Sequence, residues 1–345
     1  MREENALDRP IIAVVGTSRS GKTVVCDILS RSPRIFCFRE LHFFDSNEHS
    51  TTETPCNYEA AEQLYAKLLD IQENGILGQG NTHAYGKEAH KQVENMNLTG
   101  KPAYTVYNNF LQYFSEQQKP GARPCDQTGG YVYYIDDMRK FFPGIQFICL
   151  LRDPRFVLAS KKHKWSWQQV RQSGIPYREW IRQRLQYHPW ILSKLWRTIA
   201  HKSIEFKGCT DVYVLTYESL KQQTQERIIE LCNYLEIEHN LDMDTVYNHK
   251  IGGVDAIPMQ TPNTRIETNQ RCTAMGISPT ELFICQLFCA SEMHSLGYDL
   301  WKVWPNPLSL LWYLLIFPVK LVLAAMANHR RISRLSDAIK RRLAV

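Results

Sequence analysis

No two of the ten cysteines stand in a C-x-x-C pair, so the chain lacks the spacing of a zinc ribbon or a thioredoxin-type redox motif. Cys285 and Cys289 are one helical turn apart, a spacing that reads as core packing. The opening residues, MREENALDRP, contain no apolar run, so no secretory signal is expected there. The thiols are then expected free in a reducing cytosol, and the triplet Asn97-Leu98-Thr99 does not serve as a glycosylation site. Internal repeats and low-complexity stretches are missing as well, which excludes a solenoid. Excess charge of one sign is small, at 41 basic against 35 acidic residues, and it is concentrated at one end. Between residues 328 and 345 stand Arg330, Arg331, Arg334, Lys340, Arg341 and Arg342, with Asp337 the one acid. The near-neutral body argues against a nucleic-acid partner.

What is present is globular: 345 residues, 44% hydrophobic and 22% charged, enough to bury a core without disulfides or metals. We expect one α/β domain over residues 1–300 and a hydrophobic segment with a basic tail over residues 301–345. Ile11 to Val15 is a continuous β-branched run, the mark of a strand buried on both faces. Ile145 to Leu151 and Val212 to Thr216 read the same way, and Ile35 to Phe38 reads as a short strand. Helical spacing covers Thr23 to Ser30, Tyr58 to Ile71 and Leu220 to Leu235, with a polar loop from Asp45 to Asn57. Arg155 to Glu205 is helical too, broken near Gly174-Ile175-Pro176 and bent at Pro189. Gly75 to Pro102 shows no clear period. From Pro279 a helix is predicted with Ser278 as N-cap, Glu281 closing a capping box and Gly297 ending it. Strands alternating with helices imply a P-loop-like parallel sheet flanked by helices, followed by the C-terminal hydrophobic helical segment.

Gly16-Thr17-Ser18-Arg19-Ser20-Gly21-Lys22-Thr23 matches GxxxxGK[ST] between a predicted strand and a predicted helix. Glycines let the backbone wrap closely, and the N–H groups and the helix N-terminus attract an anion. An ATP- and magnesium-using enzyme would need a carboxylate at the end of a second strand. The strongest later strand ends Leu151-Arg152-Asp153-Pro154, with arginine at the edge and Asp153 awkwardly placed before a proline. Arg152 and Ser160 are separated by about two helical turns and can converge on one phosphate, the guanidinium offering its fork of donors.

Together these segments resemble the sulfotransferases that use 3'-phosphoadenosine 5'-phosphosulfate (PAPS). Arg19-Ser20-Gly21-Lys22-Thr23 is similar to that family's 5'-phosphosulfate loop. Arg152-Asp-Pro-Arg155 through Ser160 is similar to its 3'-phosphate segment. Ser32-Pro33 with Arg39-Glu40-Leu41-His42-Phe43-Phe44, Phe142-Pro143-Gly144, Leu215-Thr216-Tyr217-Glu218 and Met293 to Tyr298 follow in the family's order. Lys22 stands where the family usually has threonine, and Val24 where cytosolic members have tryptophan. Asp126-Gln127-Thr128-Gly129 occupies the place of a K-T-P segment, and Thr261 to Cys272 the region of a glycine-tryptophan motif.

The resemblance implies PAPS as sulfuryl donor, no required metal, and a hydroxyl-bearing acceptor such as a glycan or lipid. It implies donor binding by Thr17, Ser18, Arg19, Ser20, Gly21, Lys22 and Thr23, with Arg152, Ser160 and Tyr217 around the nucleotide. Arg19 and Lys22 are the cations expected to meet the phosphosulfate. Glu40 is the expected base, spaced from Arg19 (19 to 40) like the proposed base of tyrosylprotein sulfotransferases, and His42 is the second candidate. No side-chain spacing suggests a metal. Two other readings stay open: a P-loop kinase or NTPase, and a non-catalytic, membrane-tethered nucleotide-binding module. Lys161, Lys162, Lys164, Trp165 and Trp167 read either as a guide for an anionic acceptor or as a solvated helix face with packed tryptophans.

Leu308 to Ala327 is the most hydrophobic stretch and is long enough to cross a bilayer. Pro318 and Lys320 are unfavourable at a bilayer centre, and the basic tail belongs on the cytosolic side. With the body also cytosolic, an interfacial or re-entrant anchor is expected, the alternative being a segment that packs on the domain or forms an oligomer interface. Residues 308–345 would then hold the protein to the cytosolic face of a membrane, the tail attracted to anionic lipid.

Overall fold

The computed structural model describes residues 9–44, 53–76, 82–164, 177–245 and 264–328. Trp165, Trp167, the break at residues 174–176, most of the Asp45–Asn57 loop, Thr261 to Asn263 and the basic tail lie outside the described residues.

The strands are β1 (Ile12–Gly16), β2 (Ile35–Cys37), β3 (Arg123–Asp126), β4 (Gln146–Leu151) and β5 (Val212–Thr216). They form one five-stranded sheet in the order β2-β3-β1-β4-β5, every neighbouring pair parallel. The helices are α1 (Lys22–Leu29), α2 (Tyr58–Asn74), α3 (Gly86–Asn95), α4 (Ala103–Gln118), α5 (Ile135–Phe141), α6 (Pro154–Lys164) and α7 (Tyr177–Gln186). After them come α8 (Pro189–Glu205), α9 (Tyr217–Gln222), α10 (Thr224–Leu235), α11 (Leu241–Thr245), α12 (Arg265–Ala274), α13 (Pro279–Ser295) and α14 (Pro307–Asn328).

β1 is buried along its whole length because both its faces are covered. Ile12 and Val14 enter a core with Val25, Ile28, Leu231 and Leu235 from α1 and α10. Ala13 and Val15 enter the larger opposite core with Leu64, Phe110 and Trp196 from α2, α4 and α8. A third cluster joins Phe156, Leu282 and Trp301, which is 3% exposed.

The helix from Pro279 carries both bonds of the predicted capping box, Glu281 N–H to Ser278 Oγ and Ser278 N–H to Glu281 Oε2. Glu281 also accepts from Lys162 and Tyr187, so the cap ties α13 to α6 and to the end of α7. Two expectations change in detail. Pro189 does not bend a helix but opens one, because its missing N–H costs nothing at a helix start. The single helix read from Leu220 to Leu235 is two, interrupted at Gln223, whose ψ of 49° leaves the helical region. β3 and α4 are additions, neither having been assigned from the sequence.

Candidate active site

In a parallel sheet the ligand crevice lies beyond the carboxyl ends of the strands. The anion loop and the residues expected around it lie there. The phosphate loop follows β1, Glu40 and His42 follow β2, Arg152 follows β4, and Tyr217 follows β5. β3 ends in Asp126, the first residue of the segment that stands in the place of K-T-P.

The loop's shape depends on two glycines. Gly16 has φ 132°, and a Cβ there would lie 2.0 Å from the Leu150 carbonyl oxygen on β4. Gly21, at φ 94°, is the N-cap of α1 and lies against the Tyr217 ring. Arg19 adopts a left-handed φ of 71°, so the loop turns back between the glycines. The helix start behind it supplies N–H groups and positive potential.

Two groups of side chains gather around the loop. In the first, Lys22 is buried, with Nζ 3.3 Å from the Thr17 carbonyl oxygen and 3.4 Å from Glu40 Oε1. The other Glu40 oxygen lies 3.6 Å from His42 Nε2. Packing raises the Glu40 pKa, but the hydrogen bond and charge of His42 and the charge of Lys22 outweigh it and bring it to about 2. Glu40 is therefore anionic, paired with a cation on one oxygen and an imidazole on the other, at 45% side-chain exposure.

In the second group, Arg19 Nε donates to Ser160 Oγ at 3.0 Å, and Arg152 Nη1 donates to the Arg19 carbonyl oxygen at 3.1 Å. The Arg152 guanidinium lies 4.9 Å from the Tyr217 ring centre. Trp196 Nε1 donates to the Arg152 carbonyl oxygen at 2.8 Å, so α8 fixes the end of β4. Arg19, expected with Lys22 to meet the phosphosulfate, turns its guanidinium to Ser160. Ser18 and Thr23 are exposed at the rim, whereas Thr17 and Ser20 are buried, Ser20 Oγ donating to the Thr17 carbonyl oxygen.

Asp126 organises the floor between β2 and β1. Its Oδ1 accepts from Thr128 N–H at 2.7 Å and Thr128 Oγ1 at 2.6 Å; its Oδ2 accepts from Tyr107 at 2.7 Å and Tyr131 at 3.3 Å. Thr128 Oγ1 in turn accepts from His42 N–H, and the Tyr131 hydroxyl accepts from Phe43 N–H. Burial lifts Asp126 to about 6, against the opposing pull of those hydrogen bonds. Gly129 continues this floor under Lys22; a Cβ on it would stand 2.8 Å from Lys22 Nζ.

Other motif residues meet behind the crevice. Asp153 and Arg155 form a buried ion pair at 2.5 Å, and Arg155 lies over the Trp301 ring at 4.2 Å. Asp153 is thereby occupied by a structural partner. Glu218 accepts from Asp153 N–H at 3.0 Å and from the Tyr298 hydroxyl at 2.5 Å, joining the segments at Arg152, Tyr217 and Gly297. Burial, with Asp153 nearby, raises Glu218 to about 7.

A cavity of about 270 Å³ opens over the first group. Its lining combines the loop and its partners, Gly16, Thr17, Ser18, Lys22, Glu40 and His42, with the apolar Val157, Leu192, Leu195, Trp196 and Ile199, and with Lys161 and Tyr133. Trp196 and Thr128 were not foreseen: one acts through a distant backbone oxygen, and the other was noted only as a departure from K-T-P.

An α/β protein with a parallel sheet, a glycine-bounded anion loop after its first strand and an arginine-serine pair after its fourth belongs to the P-loop-like class. Within that class the family is shown directly: a model described as "Sulfotransferase family" matches residues 10–241, and the chain belongs to that family. Solved structures similar to this chain include the sulfotransferase domain of the Synechococcus PCC 7002 olefin synthase. It is 18% identical, with 87% of this chain and 98% of that chain covered and a TM-score of 0.49. The sulfotransferase domain from the curacin biosynthetic pathway is 16% identical, with 84% and 98% covered and a TM-score of 0.46. A sulfotransferase from Mycobacterium avium is 15% identical, with 85% and 78% covered and a TM-score of 0.45. No curated protein matches the sequence. The protein is thus a transferase of sulfuryl groups in the broad sense of its family.

Proposed function

We propose that this sulfotransferase takes the sulfuryl group from PAPS and delivers it to the hydroxyl of an acceptor with an apolar body, with Glu40 as the base. The observation that carries this reading is the Lys22–Glu40 pair, a buried cation and a carboxylate 3.4 Å apart that together line the cavity above the anion loop.

The residues present fit the donor. Thr17 Oγ1 is buried with no hydrogen-bond partner among the described residues, as expected of a donor kept for a bound anion. When bound, PAPS supplies an activated sulfuryl group and a phosphate that leaves with the bridging oxygen. Lys22, Thr17 and the α1 N-terminus hold and neutralise that phosphate. Arg19, Arg152 and Ser160 hold the second phosphate, and Tyr217 packs beneath the loop. Once Lys22 has an anionic partner of its own, Glu40 loses one of the influences that hold its pKa at about 2. The carboxylate then gains basicity where the acceptor proton must be removed. His42, fixed through Thr128 and Asp126, steadies the second oxygen. The wall of Val157, Leu192, Leu195 and Ile199 suits an aliphatic or aromatic acceptor and excludes water from the reacting atoms.

The C-terminal helix fits the same picture. Among the described residues, Pro307–Ala327 is a single helix long and apolar enough to cross a membrane. It lies against α7 and α8, Phe317 stacking on Trp190 and Lys320 donating to the Arg184 carbonyl oxygen. Leu308 is 78% exposed, Leu315 64% and Trp312 60%, so a broad apolar face is left outward. We read this face as resting on the cytosolic surface of a membrane, bringing the cavity near amphiphilic acceptors.

The test is release of adenosine 3',5'-bisphosphate from PAPS in the presence of long-chain alcohols, a sterol and nitrophenol. Transfer to at least one, lowered by roughly 10²–10⁴ in Glu40→Gln while bisphosphate binding persists, is the expected outcome. Turnover unchanged in Glu40→Gln would remove Glu40 from the role. His42→Gln losing all turnover beside an active Glu40→Gln would transfer the role to His42.

A further inference from the structure

Behind the anion loop, on the sheet face opposite the larger core, three thiols converge that the proposed chemistry does not use. Cys26 comes from α1, Cys37 from the end of β2 and Cys125 from β3. Their Sγ atoms all lie within 4.8 Å of one another. The fold dictates this meeting. Cys37 and Cys125 are register partners in the parallel β2–β3 pair, so their side chains share one face, and α1 covers that face. Cys26 and Cys125 are buried, Cys37 is partly exposed, and all three are reduced. Because they come from separate elements, sequence spacing gives no sign of the group.

Buried thiols ordinarily serve singly as small apolar side chains. Here the sulfurs face one another. The Cys37 thiol also donates to the Cys26 carbonyl oxygen at 3.3 Å, which ties the end of β2 to α1. Lys119 is pinned beside it, its ammonium donating to the carbonyl oxygens of Ser30, Ser32 and Ile35.

We propose that Cys26, Cys37 and Cys125 form a binding site for a thiophilic divalent cation of the zinc class. A metal–sulfur distance of about 2.3 Å places three thiolates around a trigonal ion about 4 Å apart, inside the observed limit. Soft thiolate ligands select such ions over magnesium or calcium. Binding forms three metal–sulfur bonds and releases the thiol protons of Cys26, Cys37 and Cys125 to solvent. Three thiolates and a divalent ion leave one negative charge, which the Lys119 ammonium balances; a monovalent ion would leave a second, uncompensated charge in the interior. The ion would clamp α1 to β2 and β3. These elements carry Lys22, lead to Glu40 and carry Asp126, so occupancy would stiffen the crevice from behind.

Cadmium(II) is the probe, because its thiolate bonds absorb in the ultraviolet. The reduced full-length protein is titrated without oxygen, followed by absorption, equilibrium dialysis and thermal unfolding. One tightly held cadmium per chain, a thiolate-to-metal band and a raised melting temperature are expected. Cys37→Ser should weaken binding by more than the roughly 10–100-fold that outer partners of a metal site contribute. Exposed Cys209→Ser and buried Cys285→Ser should leave it unchanged. Cys125→Ser gives the same loss if it folds, which far-ultraviolet circular dichroism checks; Cys37, at the edge, keeps the test decisive if it does not. Absence of stoichiometric binding to the parent, or binding equally tight in Cys37→Ser, overturns the proposal.

Discussion

Replacing Glu218 with glutamine should stabilise this protein at neutral pH and leave it nearly unchanged in acid. Glu218 is 6% exposed and lies near Asp153, so its charged form is disfavoured. Its pKa rises from an ordinary 4.5 to about 7. The folded state therefore holds this proton more tightly than the unfolded chain does. The associated stability is fully present below pH 4.5 and is lost as pH rises to about 7. At 1.36 kcal/mol per unit, the loss is about 3 kcal/mol. Glutamine has the shape of the neutral acid. Its oxygen can accept the Asp153 N–H at the Oε1 position, and its amide can donate to the Tyr298 hydroxyl, so both bonds survive. Urea unfolding of parent and Glu218→Gln in pH steps is the assay. Other titrating groups are common to both and cancel in the difference. That difference should grow between pH 4.5 and about 7 and then level off. A constant difference across the range, or a difference that shrinks between pH 5 and pH 8, would refute the reasoning.

Gly129→Ala should cost about 1–3 kcal/mol of stability in urea unfolding and weaken bisphosphate binding. The new methyl would meet the Gly16 carbonyl oxygen at 2.6 Å and Lys22 Nζ at 2.8 Å, and the backbone oxygen cannot swing aside. Arg152→Ala should weaken binding of adenosine 3',5'-bisphosphate by about tenfold to a hundredfold in calorimetry, the worth of charged hydrogen bonds. An unchanged affinity would separate Arg152 from the nucleotide. The full chain should float with vesicles containing anionic lipid and be released as salt rises, while a chain ending at residue 306 stays in solution.

The parts of the fold legible in the sequence are those under the tightest physical constraint. β1 and β4 lie inside a sheet covered on both sides, and their runs of Val, Ile and Leu announce this. The cap of α13 was readable because both its bonds are local. β3 was not, because Arg-Pro-Cys-Asp reads as a turn and is a strand only through its neighbours. α4 was obscured by aromatic and β-branched residues such as Tyr104, Thr105 and Val106, which favour strands. The same distinction runs through the site. The anion loop is contiguous and was found directly, and Glu40 came from resemblance. Asp126 stood out only as part of a departure from K-T-P, and its four bonds to Thr128, Tyr107 and Tyr131 exist only in three dimensions. Trp196 acts through a backbone oxygen on β4, and the three thiols meet from three elements.

The most direct measurement is thermal unfolding of the purified protein with adenosine 3',5'-bisphosphate, with ATP and magnesium, and with neither. A bound ligand at 100 times its dissociation constant adds about 2.7 kcal/mol, a readable shift. The account predicts that the bisphosphate raises the melting temperature, that Arg152→Ala removes most of the rise, and that ATP with magnesium does little. Stabilisation by ATP with magnesium and none by the bisphosphate would contradict it, making Lys22 the lysine of a nucleotide-triphosphate site.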